Sequence, residues 1–232
     1  MSLFDKFGKK PRTDTPQSVP TPRPIGFSAA PPEWAEQRGE FYDDYFGGAA
    51  MVAHEIISQI PTIHVYIYPP HGSRNYSTLI TSGVSDLPMP MEPGQNLPIE
   101  KRRVELFMRV PRLDMAEFTT DMPWQVQMLR FIGKFPFENS RPLVEFKTFT
   151  LGEVPESDVL KHVVLMPPFY EAPPFTSGLT HLDGTRVSFL WLDLITDAEL
   201  EAKLSGGSEA LMQIFKRSKH TPILNVGRPS YV

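Results

Sequence analysis

The 232-residue chain contains no cysteine. Disulfides, thiolate zinc sites, iron–sulfur clusters and cysteine nucleophiles are therefore excluded. No apolar run approaches the ~18 residues that a membrane-spanning helix needs. The first ten residues, MSLFDKFGKK, also lack the apolar segment of about 7–15 residues that marks a secretory signal. These absences favour a cytoplasmic protein that does not interact with a membrane.

The chain also has no large excess of either charge, because 23 basic and 27 acidic residues leave a net charge of −4. This balance argues against nucleic-acid binding, in which Lys and Arg neutralise phosphates. The sequence has no phosphate-binding Gly-Lys-Ser/Thr loop, no GxGxxG after a strand and no GxSxG elbow. His54-Glu55 begins a zinc-protease motif, but position 58 is serine, and the six histidines show no metal-ligand spacing.

From these missing motifs we predict that the chain binds no metal or cofactor and is not an enzyme. Carboxylates are abundant, however, and sequence alone cannot pair them into a general acid and a general base. An enzyme with an unrecognised carboxylate-based active site is therefore the alternative hypothesis. A cleft that holds several close, buried acidic groups would favour that alternative.

Proline is abundant, with 25 residues, and seven of them fall within residues 11–32. This stretch has almost no large apolar side chains, so it cannot bury enough surface to offset its ordering entropy. We predict a flexible, proline-rich arm over residues 1–32 and a folded domain over residues 33–232. The arm carries a net charge of +3. It could be a spacer, a proline-motif ligand or a docking arm for an acidic surface, and residues 2–7 could dock apolar side chains.

The hydrophobic periodicity predicts an α+β fold in which a mixed, largely antiparallel sheet is flanked by helices. A short turn predicts that the first two strands form an antiparallel hairpin, and Thr196 with Glu199 forms a capping box. The predicted strands are residues 62–68, 75–82, 103–110, 143–151, 163–166, 186–195 and 223–226. The predicted helices are residues 40–60, 124–135 and two segments after Thr196 that Gly206-Gly207 separates.

Two long loops, residues 83–103 and 167–184, interrupt these elements. Compact domains rarely keep loops of this length without a function. The second loop holds Phe169, Tyr170 and Phe175 between two Pro-Pro pairs. The rigid backbone could present these rings as anchors for a protein contact, or the rings could fold back over the core. The basic run at residues 101–103 could meet an acidic ligand or protect a strand edge from aggregation.

Several short segments, in order along the chain, resemble the suppressor of fused domain family. They begin with TSGVSDL at residues 81–87 and VELFMRVP at residues 104–111. The later ones are residues 162–168, residues 187–200, and ALMQIFK at residues 210–216 followed by Arg228-Pro229. Together the segments span about residues 35–232, and the proline-rich arm lies outside the resemblance.

This resemblance implies a mixed-sheet α/β sandwich without catalytic activity. Animal members of the family have a second domain, and the two domains clamp an extended peptide of a transcription factor by strand addition. The present chain corresponds to the first domain, and single-domain bacterial relatives resemble immunity proteins of toxin systems. Asp86 and Glu105 match acidic positions of the family and are candidate binding residues, although an Asp after a strand also commonly caps local amides.

We therefore expect a non-catalytic protein-binding module that sequesters a protein or an extended peptide. The sharpest form of this hypothesis is an immunity protein that neutralises a toxin. A free sheet edge would supply backbone hydrogen bonds, and the two long loops would supply side-chain pockets. The candidate binding residues are Asp86, Glu105, Phe169, Tyr170 and Phe175.

Overall fold

Eight strands and three helices make up the computed structural model, which describes residues 30–56, 61–113, 122–173 and 175–232. The helices are α1 (Glu33–Phe46), α2 (Trp124–Asn139) and α3 (Asp197–Arg217). The strands are β1 (Met51–Ala53), β2 (His64–Tyr68), β3 (Ser77–Ser82), β4 (Val104–Val110), β5 (Thr148–Thr150), β6 (Leu160–Met166), β7 (Leu179–Thr180) and β8 (Arg186–Thr196). Within the described ranges, no helix combines the length and the apolar character that crossing a bilayer requires.

The strands form one mixed sheet in the order β1-β2-β3-β4-β8-β6-β5, and β7 pairs with the beginning of β8. The β4–β8 pair is parallel, and the other pairs are antiparallel. The predicted α+β fold with a largely antiparallel sheet is therefore confirmed. The predicted hairpin of β2 and β3 is confirmed as well. The order leaves β1 and β5 at the two edges of the sheet.

Both faces of the sheet are covered, which explains why its central strands are apolar on both sides. On β4, Leu106 and Met108 face a hydrophobic cluster that includes Leu129 and Ile132 of α2. Phe107 faces the opposite cluster, which α1 and α3 cover. Each large apolar side chain buried in this way contributes about 1.5–3 kcal/mol to folding.

Of the helix predicted over residues 40–60, only residues 40–46 are helical. The helix α1 begins at Glu33 and ends at Phe46, because Gly47 adopts a positive φ of 85°. Residues 51–53, which the sequence pattern assigned to that helix, instead pair with β2. Residues 57–60 lie outside the described part of the chain. So does the predicted arm, apart from residues 30–32, which lead into α1.

Two predicted strands also differ from the structure. The strand predicted over residues 143–151 is reduced to Thr148–Thr150, because Phe146 has a φ of 61° and the Lys147 amide donates to the Val144 carbonyl in a turn. Residues 223–226 form no strand, although the Leu224 amide donates to the Arg109 carbonyl of β4 at 2.8 Å.

The other two helices begin where the sequence predicted them. The helix α2 extends past residue 135 and ends at Asn139. The capping box of Thr196 and Glu199 opens α3, and Gly207 interrupts it with a φ of 73°. Gly207 therefore divides Asp197–Arg217 into two helical segments at the glycine pair, as the sequence predicted.

Candidate binding site

The first part of the candidate site is β5, which is a free sheet edge among the described residues. Its neighbour β6 exchanges hydrogen bonds with residues flanking this strand: the Leu151 amide donates to the Lys161 carbonyl, and the Leu165 amide donates to the Lys147 carbonyl. Antiparallel strands alternate bonded and non-bonded residues. The backbone groups of Thr148 and Thr150 therefore point away from β6, where they are available to an added strand.

Beside this edge lies an exposed apolar patch formed by Val144, Phe146, Phe169 and Tyr170. Phe169 is 51% exposed and Tyr170 is 50% exposed. The ring centroid of Phe169 lies 6.4 Å from that of Phe146, and Tyr170 stands edge-on to the buried Trp191 at 5.7 Å. Exposed aromatic side chains on a fixed backbone are typical anchors of protein interfaces.

Phe175, the third candidate ring of the same loop, takes the other course that the sequence left open. It is 0% exposed and stacks on Phe189 of β8 at a centroid distance of 4.2 Å. Its edges meet Phe46 and Phe107, each at 5.2 Å. The structure therefore gives Phe175 no surface with which to touch a partner, and its role is to anchor the loop over the core.

Glu171 fixes the same loop from its other end. The carboxylate accepts a hydrogen bond from Arg109 Nε at 2.9 Å and another from the Tyr45 hydroxyl at 2.9 Å. The hydroxyl of Tyr45 in turn accepts from the Ala172 amide at 2.8 Å. Burial together with the neighbouring Glu171 charge raises the pKa of Tyr45 to about 12. Because Phe175 and Glu171 are both fixed, Phe169 and Tyr170 are presented from a rigid segment.

Glu105, a candidate from the family resemblance, is 0% exposed at the other end of β4. One carboxylate oxygen accepts from the amides of Gly83 and Ser85 at 2.9 and 3.0 Å, and from the Ser85 hydroxyl at 2.6 Å. The other oxygen accepts from the Thr81 hydroxyl at 2.6 Å. The carboxylate therefore folds the start of the 83–103 loop and has no surface for a partner.

Asp86 lies at the rim of this buried network and is partly exposed. Its carboxylate pairs with Arg38 of α1 at 2.6 Å. Burial raises the pKa of Asp86, although the Arg38 charge opposes that shift. The same guanidinium donates to Ser82 Oγ at 3.0 Å and to Ser85 Oγ at 3.3 Å. Of the two acidic candidates, Asp86 is the one that a partner could reach.

Sequence reasoning missed Arg38, which holds this network together. Trp34, Arg38, Tyr42 and Phe46 form the buried stripe of α1. A charged residue inside an apolar stripe with four-residue spacing was the available signal, because such a residue must find buried partners. Its partners lie 44 or more residues away along the chain, and for that reason the sequence did not identify them.

Two of the buried carboxylates are engaged in structural hydrogen bonds. Four donors saturate Glu105, and Glu171 is held by Arg109 and Tyr45. A general acid or base must reach its substrate within hydrogen-bond distance. In the described ranges, no group of three or more His, Asp or Glu side chains converges as metal ligands would.

Fold and site together define an α+β protein with a free sheet edge and rigidly presented aromatic side chains. The model of the suppressor of fused protein (SUFU) family matches residues 59–229. The chain belongs to the SUFU family.

Solved structures of this family are similar in fold, at low sequence identity. A SUFU homologue from Neisseria gonorrhoeae has a TM-score of 0.63 and 16% identity, covering 86% of this chain and 97% of that one. The Sufu–Fu complex structure gives a TM-score of 0.56 and 16% identity, with coverage of 85% and 90%. Drosophila Suppressor of Fused gives 0.54 and 18%, and this chain spans about half of its length. Among curated proteins, no sequence matches this chain.

Proposed function

We propose that this protein is a non-catalytic binding module that sequesters a partner polypeptide by adding an extended segment of it to the β5 edge. The single observation that carries the proposal is the position of the exposed Phe169 and Tyr170 beside outward-directed backbone groups of an edge strand. Strand addition uses this combination, because backbone bonds supply affinity and side-chain contacts supply specificity. The Sufu–Fu complex supports the proposal, since it shows a relative of this fold in a complex with a protein.

The experiment uses the full chain as bait and compares four variants. Thr148→Pro removes one outward N–H without removing a bond to β6, and edge strands tolerate proline. Thr148→Val keeps that N–H and is the matched control. Phe169→Ser removes an exposed ring. Its control is Leu182→Ser, at a residue that is 92% exposed between β7 and β8.

We expect a partner that both control variants still bind. Thr148→Pro and Phe169→Ser should each weaken its binding by about tenfold or more, which corresponds to a loss of about 1.4 kcal/mol. A partner that binds all four variants equally would contradict strand addition at β5. The partly exposed Asp86 would then be the next candidate contact, and Asp86→Ala tests it.

The finer proposal is that the partner is a toxin, that the chain is its immunity protein, and that it acts in the cytoplasm. Co-expression with a toxin encoded beside its gene tests this proposal directly. We expect growth to be rescued by the native chain and by Thr148→Val, and to fail with Thr148→Pro. Equal killing with and without the native chain would refute the immunity role and leave the binding module standing.

A further inference from the structure

An acidic turn continues the β5 edge. Directly after β5, the chain turns back into β6 through residues 151–159, and this turn contains Glu153, Glu156 and Asp158. All three are exposed, and residues 151–159 hold no Lys or Arg. An added strand that followed β5 to its end would therefore meet a concentrated negative charge, which favours Lys or Arg side chains at that point.

The two ends of the β5 edge therefore differ in chemical character. The apolar patch (Val144, Phe146, Phe169 and Tyr170) flanks the beginning of β5, and the acidic turn follows its end. Phe146 precedes Glu153 by seven residues, or roughly 23 Å of extended chain. A complementary peptide running parallel to β5 carries an aromatic residue first and basic residues about seven positions later.

The first twelve residues of this chain, MSLFDKFGKKPR, have this pattern. Phe4 and Phe7 come first, and Lys9, Lys10 and Arg12 follow within a few residues. Residues 1–32 carry a net charge of +3 and the whole chain carries −4, so residues 33–232 carry −7. Phe4 precedes Lys10 and Arg12 by six and eight positions, so these three side chains share one face of an extended chain, and their order and spacing match the edge.

The connection between residues 1–12 and α1 is long enough for residues 1–12 to reach β5. Trp34, near the start of α1, lies under the guanidinium of Arg103, and the Arg103 carbonyl accepts from the Ser188 amide of β8. From Ser188 to Thr148 is about five residues along β8 and two strands across, or roughly 20 Å. The seventeen residues 13–29 can span up to about 56 Å at ~3.3 Å per residue.

We infer that residues 1–12 of this chain are a built-in ligand of the β5 edge, with Phe4 on the apolar patch and Lys10 and Arg12 at the acidic turn. The inference rests on the same surface as the proposed function. It makes the arm a competitor that an incoming partner must displace. Removing the Phe4 side chain therefore strengthens partner binding.

The cysteine-free chain allows a direct test by crosslinking in the full-length protein. Asp5→Cys combined with Thr148→Cys, treated with a short bismaleimide, reports docking at β5. Asp5→Cys combined with Leu182→Cys is the control pair. Leu182 is 92% exposed, and its amide donates to Gln37 of α1. The control site is therefore nearer to the point where the arm joins the domain, and an undocked arm would react there first.

We expect the Thr148 pair to crosslink at least tenfold faster than the control pair. Changing Phe4 to serine, or reversing Glu153, Glu156 and Asp158 to lysine, should reduce its rate to that of the control. High salt should reduce it as well, because it screens exposed charges. Equal rates for the two pairs, or insensitivity to the charge reversals, would overturn the inference. A rate that falls on tenfold dilution would also overturn it, since the ligand would then come from a second copy.

The test separates this inference from the proposed function. If partner capture needs the Thr148 amide but the Thr148 pair does not crosslink, only the built-in ligand is refuted. If the pair crosslinks but no partner depends on β5, the edge is occupied by its own arm and the sequestering function fails.

Discussion

Replacing Glu105 tests the conclusion that this family-matched carboxylate supports the fold and does not touch a partner. It is fully buried, lies 3.7 Å from Arg38 and accepts four hydrogen bonds. Removing one partner of a buried ion pair costs about 3–5 kcal/mol, so we expect Glu105→Ala to lower the free energy of unfolding by about 4 kcal/mol. Glu105→Gln keeps the volume and one acceptor, and should cost about 2 kcal/mol, within the range for a hydrogen bond to a charged group.

The assay is urea unfolding together with thermal melting. For a domain of this size, 1 kcal/mol corresponds to about 2–4 °C in Tm. We therefore expect losses of roughly 4–8 °C for Glu105→Gln and about twice that for Glu105→Ala. Glu92→Gln, at an exposed ion pair with Arg141, is the matched control and should cost less than about 0.5 kcal/mol.

Two results would refute the reasoning about Glu105. One is a Glu105→Gln variant as stable as the native chain, because the four hydrogen bonds would then contribute nothing. The other is a Glu105→Gln variant that stays folded well below its Tm, keeps its stability and nevertheless loses its partner, because the carboxylate would then be a binding group after all.

Three further outcomes are expected. Phe175→Ala should lower the free energy of unfolding in urea by about 3–5 kcal/mol, as for other buried aromatics, while Phe169→Ala should cost less than about 1 kcal/mol; equal costs would contradict the contrast in burial. Gly83→Ala should cost about 3 kcal/mol or more by the same measurement, because its Cβ would lie 2.0 Å from the Thr62 carbonyl oxygen at a φ of 123°, and a neutral result would rule out this backbone arrangement. Burial lowers the pKa of His181 to about 4, below the ~6.5 of an unfolded chain. Between these pH values the unfolded state therefore binds more protons than the folded state. The free energy of unfolding should fall by at most about 3 kcal/mol as the pH drops from 6.5 to 4. In His181→Phe this slope should shrink, and an unchanged slope would assign it to other groups.

The strands β2, β4 and β8 were predictable because their runs of β-branched and apolar residues are a local signal. The alternation over residues 143–151 overstated β5, because Phe146 has a φ of 61°. The patterns at β2, β4 and β8 gave bounds within two residues of the structure. The helix predicted over residues 40–60 failed for a non-local reason: Met51–Ala53 gains a ladder with β2, and that pairing outweighs the helix propensity of the alanines. Propensity is a weak prior where tertiary contacts compete with it.

The candidate site was predictable only in part, because long-range contacts decide which of its side chains are buried. The loop of Phe169 and Tyr170 was identified by its composition, but composition could not decide which rings turn inward. Phe175 is buried because Phe46, Phe107 and Phe189 surround it, and those rings come from three distant segments. Long-range assembly of this kind leaves no short motif in the sequence.

The parallel β4–β8 pair has a consequence for the order of folding. The first four strands form a local meander, but the β8 edge that pairs with β4 comes about 75 residues later in the chain. During synthesis, the nascent chain must therefore hold an unpaired central strand, rich in apolar residues, until the last strand has left the ribosome. High contact order of this kind slows folding and exposes aggregation-prone edges. Fragments that end before residue 186 should therefore depend on chaperones or aggregate, even though they contain seven of the eight strands.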